Sequence, residues 1–370
     1  MSASSRKRNW GTPPWTIDFH PQPRPLPEEA DFAVIGAGFT GLAAAAWLRR
    51  LAPQKTVVVL EAGSIGAGAS GRTGGVALAE TAAGDLPGLG DVLGGFSSAL
   101  RELDVHCDLA LPGAFEIGRE EPSSNSPISW EDSGELRVVA EVPGGTVNPG
   151  KLLGGLARVA DRLGAVILER APVEDIEFKV PLRLKVSGSR VRARQALLAT
   201  NAQSLELSRL AGRAQPKFTL AIATEPLTAA QLESLGLASR RPFYTVDLPY
   251  LWGRLLSTNG VVFGSGLVHL ESWRDLDALD IARGEPAELF ARLERRVRGL
   301  HPALRKVKFT HRWGGPILIA EDWQPVFTTH PLSPQAFVLG AYSGHGVALS
   351  VYLGRWAADA MLGRRTLPAW

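Results

Sequence analysis

Ala33–Glu61 reads AVIGAGFTGLAAAAWLRRLAPQKTVVVLE. The apolar run Phe32–Ile35 enters Gly36-Ala37-Gly38-Phe39-Thr40-Gly41, an Ala-rich helix follows, and a second apolar run, Thr56–Leu60, ends in Glu61. The spacing predicts a strand–turn–helix–strand unit of the kind that holds a dinucleotide. Gly36 permits the tight turn, Gly38 lets the backbone approach a pyrophosphate, and Gly41 lets helix and strand pack closely. The helix N-terminus offers N–H groups and partial positive charge to phosphates. Glu61 lies about 20 residues beyond Gly41, where a carboxylate accepts hydrogen bonds from ribose hydroxyls.

A chain of 370 residues has room for two domains. Hydrophobic residues at 45% and charged residues at 21% are an ordinary globular balance. A net charge of +3 is too small to argue for a nucleic-acid partner. The single cysteine, Cys107, excludes an internal disulfide framework and a Cys-rich metal site, and reads as a small buried residue. No metal is expected. No apolar stretch reaches the roughly 18 residues that span a bilayer. Met1–Pro27 lacks the apolar core of a signal peptide, so the expected location is cytoplasmic. Its prolines and its aromatics Trp10, Trp15 and Phe19 predict an extended arm, lying across the domain or a neighbouring subunit, or a loosely ordered leader.

Beyond the first unit, Gly63–Gly75 is a Gly-rich loop without helical or strand period. Apolar spacing predicts helices over Asp91–Leu111, Gly150–Leu163, Glu285–Leu300 and Val347–Met361. Short strands are expected at Phe115–Ile117, Leu136–Val139 and Ala165–Leu168. A meander follows at Ile176–Val180, Leu182–Val186 and Arg190–Arg194, then a separate apolar run at Gln195–Thr200. From Phe218 to Trp313 the texture is mostly antiparallel strand, and Ala336–Gly340 is a late strand. The expected fold class is α/β, a discontinuous cofactor domain with an inserted, mostly antiparallel substrate domain. Its expected parts are an arm at 1–30, a cofactor domain at 31–90, 145–215 and 320–370, and a substrate domain at 91–144 and 216–319.

Two further Gly-rich segments strengthen the cofactor reading. Ala69-Ser70-Gly71-Arg72-Thr73-Gly74-Gly75 allows close backbone approach, and Ser70 and Arg72 can bond phosphate oxygens. Gly340-Ala341-Tyr342-Ser343-Gly344-His345-Gly346-Val347 joins a strand to a helix and offers a second helix N-terminus. One such segment points to NAD or FAD; all of them in one chain point to a long, enclosed FAD. Together with Leu197–Ala202 (LLATNA), Tyr250–Gly266 (YLWGRLLSTNGVVFGSG) and Ala341–Ser350 (AYSGHGVALS), these segments resemble the D-amino-acid-oxidase-like FAD-dependent oxidoreductases, in particular the gamma-glutamylputrescine oxidase and glycine/sarcosine oxidase group. The resemblance runs from about Asp31 over nearly the whole chain and implies a Rossmann-like FAD-binding domain. It implies that Gly36, Gly38, Phe39, Thr40, Gly41 and Glu61 hold the ADP half, and that Ala69, Ser70, Gly71, Arg72, Thr73 and Gly74 run along the pyrophosphate and flavin. Val173 would lie by the adenine, and Thr200 and Asn201 near the FAD. Gly344, His345, Gly346 and Val347 would line the pyrimidine side of the isoalloxazine, where N–H groups and a helix dipole stabilise negative charge.

The chemistry that the resemblance implies is oxidation of a C–N bond in an amine or amino acid, with oxygen or another acceptor taking the electrons. In the α-amino-acid oxidases it resembles, an arginine before an Asp-Gly-x-Pro turn grips the substrate carboxylate. Aligning Asp322 and Pro325 puts Ile317 at that position and Trp323 at the turn glycine, which favours an amine without an α-carboxylate; Arg312 or Arg254 remains available to an anion. Sarcosine-oxidase-like members place a lysine near the flavin for oxygen. Phe218–Arg305 has none, which favours another acceptor. Cys107 lies away from the position of a cysteine–flavin link, so noncovalent FAD is expected. Tyr250, Trp252, His269, Tyr342 and His345 are the candidates for the substrate pocket, Tyr250 and Trp252 as an aromatic cage for an alkylamine. Two alternatives stay open. One is a C–OH oxidation with His345 or His269 as base, the other a flavin-binding partner subunit of low activity. The oligomeric state is open.

Overall fold

The computed structural model describes residues 8–119 and 126–370. Its first sheet follows the spatial order Val326–His330, Ser333–Gly340, Ser189–Leu198, Glu29–Ile35, Val57–Leu60, Val166–Leu168. The pairings from Ser333–Gly340 onward are parallel, with Ala33 opposite both Ala196 and Val58. Val326–His330 adds an antiparallel edge. Period-two alternation divides the strand residues between two layers. Phe32, Val34, Val57 and Val59 pack with the helices, whereas Ala33, Ile35, Val58 and Leu60 pack with the meander Val173–Glu177 and Leu182–Val186.

The helix Phe39–Leu51 is buried continuously from Phe39 to Leu48. Its alanines permit this, because the C-terminal helix Gly346–Met361 approaches so closely that a Cβ on Gly354 would lie 2.9 Å from the Ala43 methyl. Helices Val92–Leu103 and Pro149–Arg162 complete that layer. The second sheet runs Phe309–Ala320, Ala214–Thr224, Val261–His269, Trp252–Leu255, Phe243–Thr245, Ala114–Gly118, Glu135–Val142, Trp130–Glu131. It is antiparallel apart from Phe243–Thr245 against Ala114–Gly118. Helix Gly284–Leu300 covers it with Phe290, Leu293, Val297 and Leu300. The fold is therefore the expected α/β class, a Rossmann-like sheet with an inserted antiparallel sheet.

Two expectations need correction, and one strand is new. The helix expected over Asp91–Leu111 ends at Leu103, because Asp104 takes a left-handed conformation (φ 57°) and the Val105 N–H returns to the Leu100 carbonyl. Arg190–Arg194 and Gln195–Thr200 are not two pieces. Ser189–Leu198 is one strand, antiparallel to Leu182–Val186 at its start and parallel to Glu29–Ile35 further on. Strand Val326–His330 was not expected at all. Among the described residues no helix is long and apolar enough to cross a membrane.

Candidate functional site

A cavity of about 1050 Å³ opens between the C-terminal ends of the parallel strands and the antiparallel sheet. At one end lie Gly36, Gly38 and Glu61. Gly36 has φ 103°, and a Cβ there would stand 2.7 Å from the Ala199 carbonyl oxygen. A Cβ on Gly38 would stand 2.8 Å from Ser70 Oγ. Gly38 caps the helix Phe39–Leu51 without a side-chain acceptor, and the Phe39 N–H donates to Ser70 Oγ at 3.0 Å. Glu61 accepts from the N–H groups of Ala37 and Gly63, both at 2.9 Å. Burial pushes its carboxyl pKa up and those two donors oppose the shift. Gly41 and Gly71 do not line the cavity; they pack against the backbone of Gly36 and Gly66, where a side chain would overlap.

The segment Ala69–Gly75 is held through its carbonyls. Trp15 Nε1 donates to Gly71 and Trp313 Nε1 to Arg72, each at 2.8 Å, and Arg254 Nε donates to Gly74. Ala69, Ser70, Arg72, Thr73 and Gly74 of this segment line the cavity. Arg72 is occupied: its Nη1 donates to the carbonyls of Trp10, Gly11 and Gly314 at 3.1, 3.0 and 3.2 Å. Its Nε is buried without a partner, and burial lowers its pKa to about 10.

The C-terminal Gly-rich segment meets the first one. Tyr342 Oη lies 2.6 Å from Thr40 Oγ1, which places this tyrosine as a tie between segments. His345 lines the cavity at the N-terminus of helix Gly346–Met361. Its Nδ1 is buried without a partner, and burial lowers its pKa, so the imidazole is neutral at pH 7. Thr200 Oγ1 is likewise buried and unpartnered, while Asn201 Oδ1 accepts from the Ala341 N–H at 3.0 Å. Val173 and Val347 are in the wall.

On the side of the antiparallel sheet, Tyr250, Trp252 and Ile317 line the cavity as well. His269 does not. It is exposed at the end of its strand, with Nδ1 2.7 Å from Lys217 Nζ. Neither arginine considered for an anion is free, since Arg312 pairs with Glu294 and Arg254 is buried on the Gly74 carbonyl. Trp323, at the expected turn glycine, has φ 64° and lines the cavity. Cys107 is buried outside it, its thiol pushed up to about 12, mainly by burial. Sequence reasoning missed Tyr244, whose ring lines the cavity and whose hydroxyl lies 2.7 Å from Glu116 Oε1 and 3.2 Å from Glu80 Oε1. Burial and then these carboxylates push the tyrosine pKa up, which keeps it protonated. No alternation in the sequence marked it, since strand Phe243–Thr245 is buried throughout, and only the strand register sets Tyr244 directly across from Trp252.

The cavity suits an extended dinucleotide. Gly36 and Gly38 form tight turns along it, the helix N-terminus at Gly38 has no capping side chain of its own, and buried polar atoms of Thr200 and His345 lack partners. The comparisons agree with this geometry. The chain is 29% identical to a probable oxidoreductase OrdL of Haemophilus influenzae, covering 94% of this chain and 86% of that one. It is 28% identical to gamma-glutamylputrescine oxidoreductase of Escherichia coli, covering 90% and 84%. Its fold is that of glycine oxidase from Geobacillus kaustophilus, with a TM-score of 0.73 at 18% identity over 92% of this chain and 96% of that one. Residues 31–360 match the FAD-dependent oxidoreductase family known as DAO, and the chain belongs to that family of flavin enzymes.

Proposed function

We propose that this protein oxidises the C–N bond of an amine lacking an α-carboxylate, using noncovalently held FAD. The observation that carries the reading is the convergence of three distant Gly-rich segments on one cavity whose opposite wall is apolar and aromatic and contains Ile317. In this reading Gly36, Gly38, Phe39, Thr40 and Glu61 hold the nucleotide half, with Gly41 supporting their turn. Ala69, Ser70, Thr73 and Gly74 bound the middle, with Gly71 and Arg72 fixing that segment. Val173, Thr200 and Asn201 flank it, and Gly344, His345, Gly346 and Val347 close the far end. FAD bound there supplies a two-electron acceptor for the hydride leaving the carbon beside nitrogen. The N-terminus of helix Gly346–Met361 stabilises negative charge facing it. Tyr250 and Trp252 orient the substrate and exclude water, and neutral His345 offers an acceptor rather than a positive charge. The name of the Escherichia coli relative, an oxidoreductase of an amine, supports the reading.

The test is anaerobic mixing of the FAD-loaded protein with amines, α-amino acids and 2-hydroxy acids while flavin absorbance is followed. Amines bleach the flavin, and simple α-amino acids do so slowly. No lysine lines the cavity among the described residues, so an artificial acceptor restores the colour faster than air. Bleaching by hydroxy acids alone overturns the C–N assignment, and failure to bind FAD overturns the whole reading.

A further inference from the structure

We propose that Tyr244, with Glu116 and Glu80 behind its hydroxyl, selects substrates that carry a second, non-reacting cationic nitrogen, making diamines the preferred class. The inference rests on the amine-oxidising reading above and assigns it a specificity determinant. Tyr244 shares one face with Trp252, its cross-strand partner, and lies 6.4 Å from Tyr250 between ring centroids. All three rings line the cavity. Glu80 sits between Leu78 and Ala82, both in the cavity wall.

The charges here are unbalanced. Tyr244 has one hydroxyl proton and two carboxylate neighbours, so it can donate to only one of them. Among the described residues, neither Glu80 nor Glu116 forms an ion pair. Burial, then the charges of Glu116 and Asp85, push the Glu80 carboxyl pKa up, and the Tyr244 hydroxyl opposes the shift. The same two glutamates add to burial in raising Tyr250 to about 12. The arginines lining the cavity are engaged elsewhere: Arg274 with Glu206, Arg72 with three carbonyls, and Arg8 over the Trp10 ring. Partly buried like charges without a counter-charge are unfavourable, and a cation held against these aromatic faces relieves them.

That cation is not the reacting nitrogen. Hydride leaves only an unprotonated amine, and nearby carboxylates stabilise the protonated form. They suit a second ammonium further along the substrate, held at Tyr244 while the first nitrogen is neutral at the site of oxidation. Tyr244 and its ring neighbours make the contact; Glu116 and Glu80 act through the Tyr244 hydroxyl and through their charge, and are positioning residues.

The test uses FAD-loaded protein reduced in advance, which cannot turn substrate over. It is titrated calorimetrically with an α,ω-diaminoalkane and with the n-alkylamine of equal length. The diamine binds about ten-fold tighter or better, as expected for a partly desolvated cation over aromatic rings. In E116Q and in E80Q the diamine-to-monoamine ratio falls toward unity, and Y244F lowers it less. Each variant's flavin spectrum confirms folding, and reading both glutamates separately covers the loss of either one. A ratio near unity in the wild type, or one retained in both glutamine variants, overturns the proposal. If amines bleach the oxidised flavin without diamine preference, only this inference falls. If no amine bleaches it, yet diamine binding still depends on Glu116, the amine-oxidising reading falls instead.

Discussion

A methyl group on Gly74 would overlap the six-membered ring of Trp252, and one on Gly264 would overlap the same indole near Nε1. Trp252 therefore lies in a slot between the Ala69–Gly75 segment and strand Val261–His269, and its position sets the cavity wall. Gly74→Ala is expected to destabilise the protein by about 1–3 kcal/mol, the usual range for overpacking. The double variant G74A/W252L recovers most of that loss, because leucine leaves the added methyl its space. Urea denaturation of both checks this, and a double variant no more stable than G74A contradicts the slot. Individual residues were legible where backbone geometry leaves a spacing. Gly36, Gly38 and Gly41 could be read because a tight strand–turn–helix unit needs glycine at fixed intervals. Tyr244 could not be placed with Glu116 and Glu80, which lie 128 and 164 positions away along the chain. Single polar residues on separate strands carry no periodic mark. His269 misled for the opposite reason: its nearness in sequence to Gly264-Ser265-Gly266 hid the strand that carries it away from the cavity.

The first two strands are locked at their outer ends by Asp31. Its Oδ2 accepts from the Thr56 N–H at 2.9 Å and from Thr56 Oγ1 at 3.1 Å, and its Oδ1 from Lys55 Nζ at 3.0 Å. Burial alone would raise the carboxyl pKa, but these donors outweigh it and hold the pKa below the ordinary value. A carboxylate whose pKa is lowered by folding contributes stability above its unfolded pKa and loses that contribution as pH falls through the folded value. Asp31→Asn should therefore cost about 1–2 kcal/mol at neutral pH, with the gap to wild type closing as the solution is taken into acid. Denaturation midpoints across a pH series measure this, and a gap independent of pH removes the ionic account. The elements themselves were largely readable. Apolar periodicity found the long helices and most strands because each buries one face. It overran at Leu111 because Val105 and Leu109 still pack against the same core after the left-handed turn at Asp104 has ended the helix. It split Ser189–Leu198 because half of that strand is amphipathic and half is buried on both faces.

The antiparallel sheet is tied to the Ala69–Gly75 segment by the N-terminal arm, which lies across the molecule, as one of its expected placements had it. Asn9 pairs with Leu279 and Ile281 through its backbone, and Trp10 Nε1 donates to the Leu276 carbonyl at 3.0 Å. The Gly314 N–H donates to the Trp10 carbonyl at 2.9 Å. The arm then reaches the Ala69–Gly75 segment at Gly71 through Trp15, whose ring meets Trp313 edge-on at 5.4 Å, and continues over Gly66 and Gly150, where Cβ atoms would overlap Ile17 and Thr16. It thus spans the antiparallel sheet, the Ala69–Gly75 segment and helix Pro149–Arg162. Trp15→Phe leaves the Gly71 carbonyl buried without its donor and should cost about 1–3 kcal/mol. Trp356→Phe is the matched control, since Trp356 Nε1 donates to the Thr366 carbonyl, also at 2.8 Å, away from the cavity wall. Both variants should lose similar stability, but only W15F should weaken FAD binding, read by fluorescence titration of the apoprotein. Equal FAD affinity in the two would mean that the arm stabilises the chain without shaping the cofactor segment.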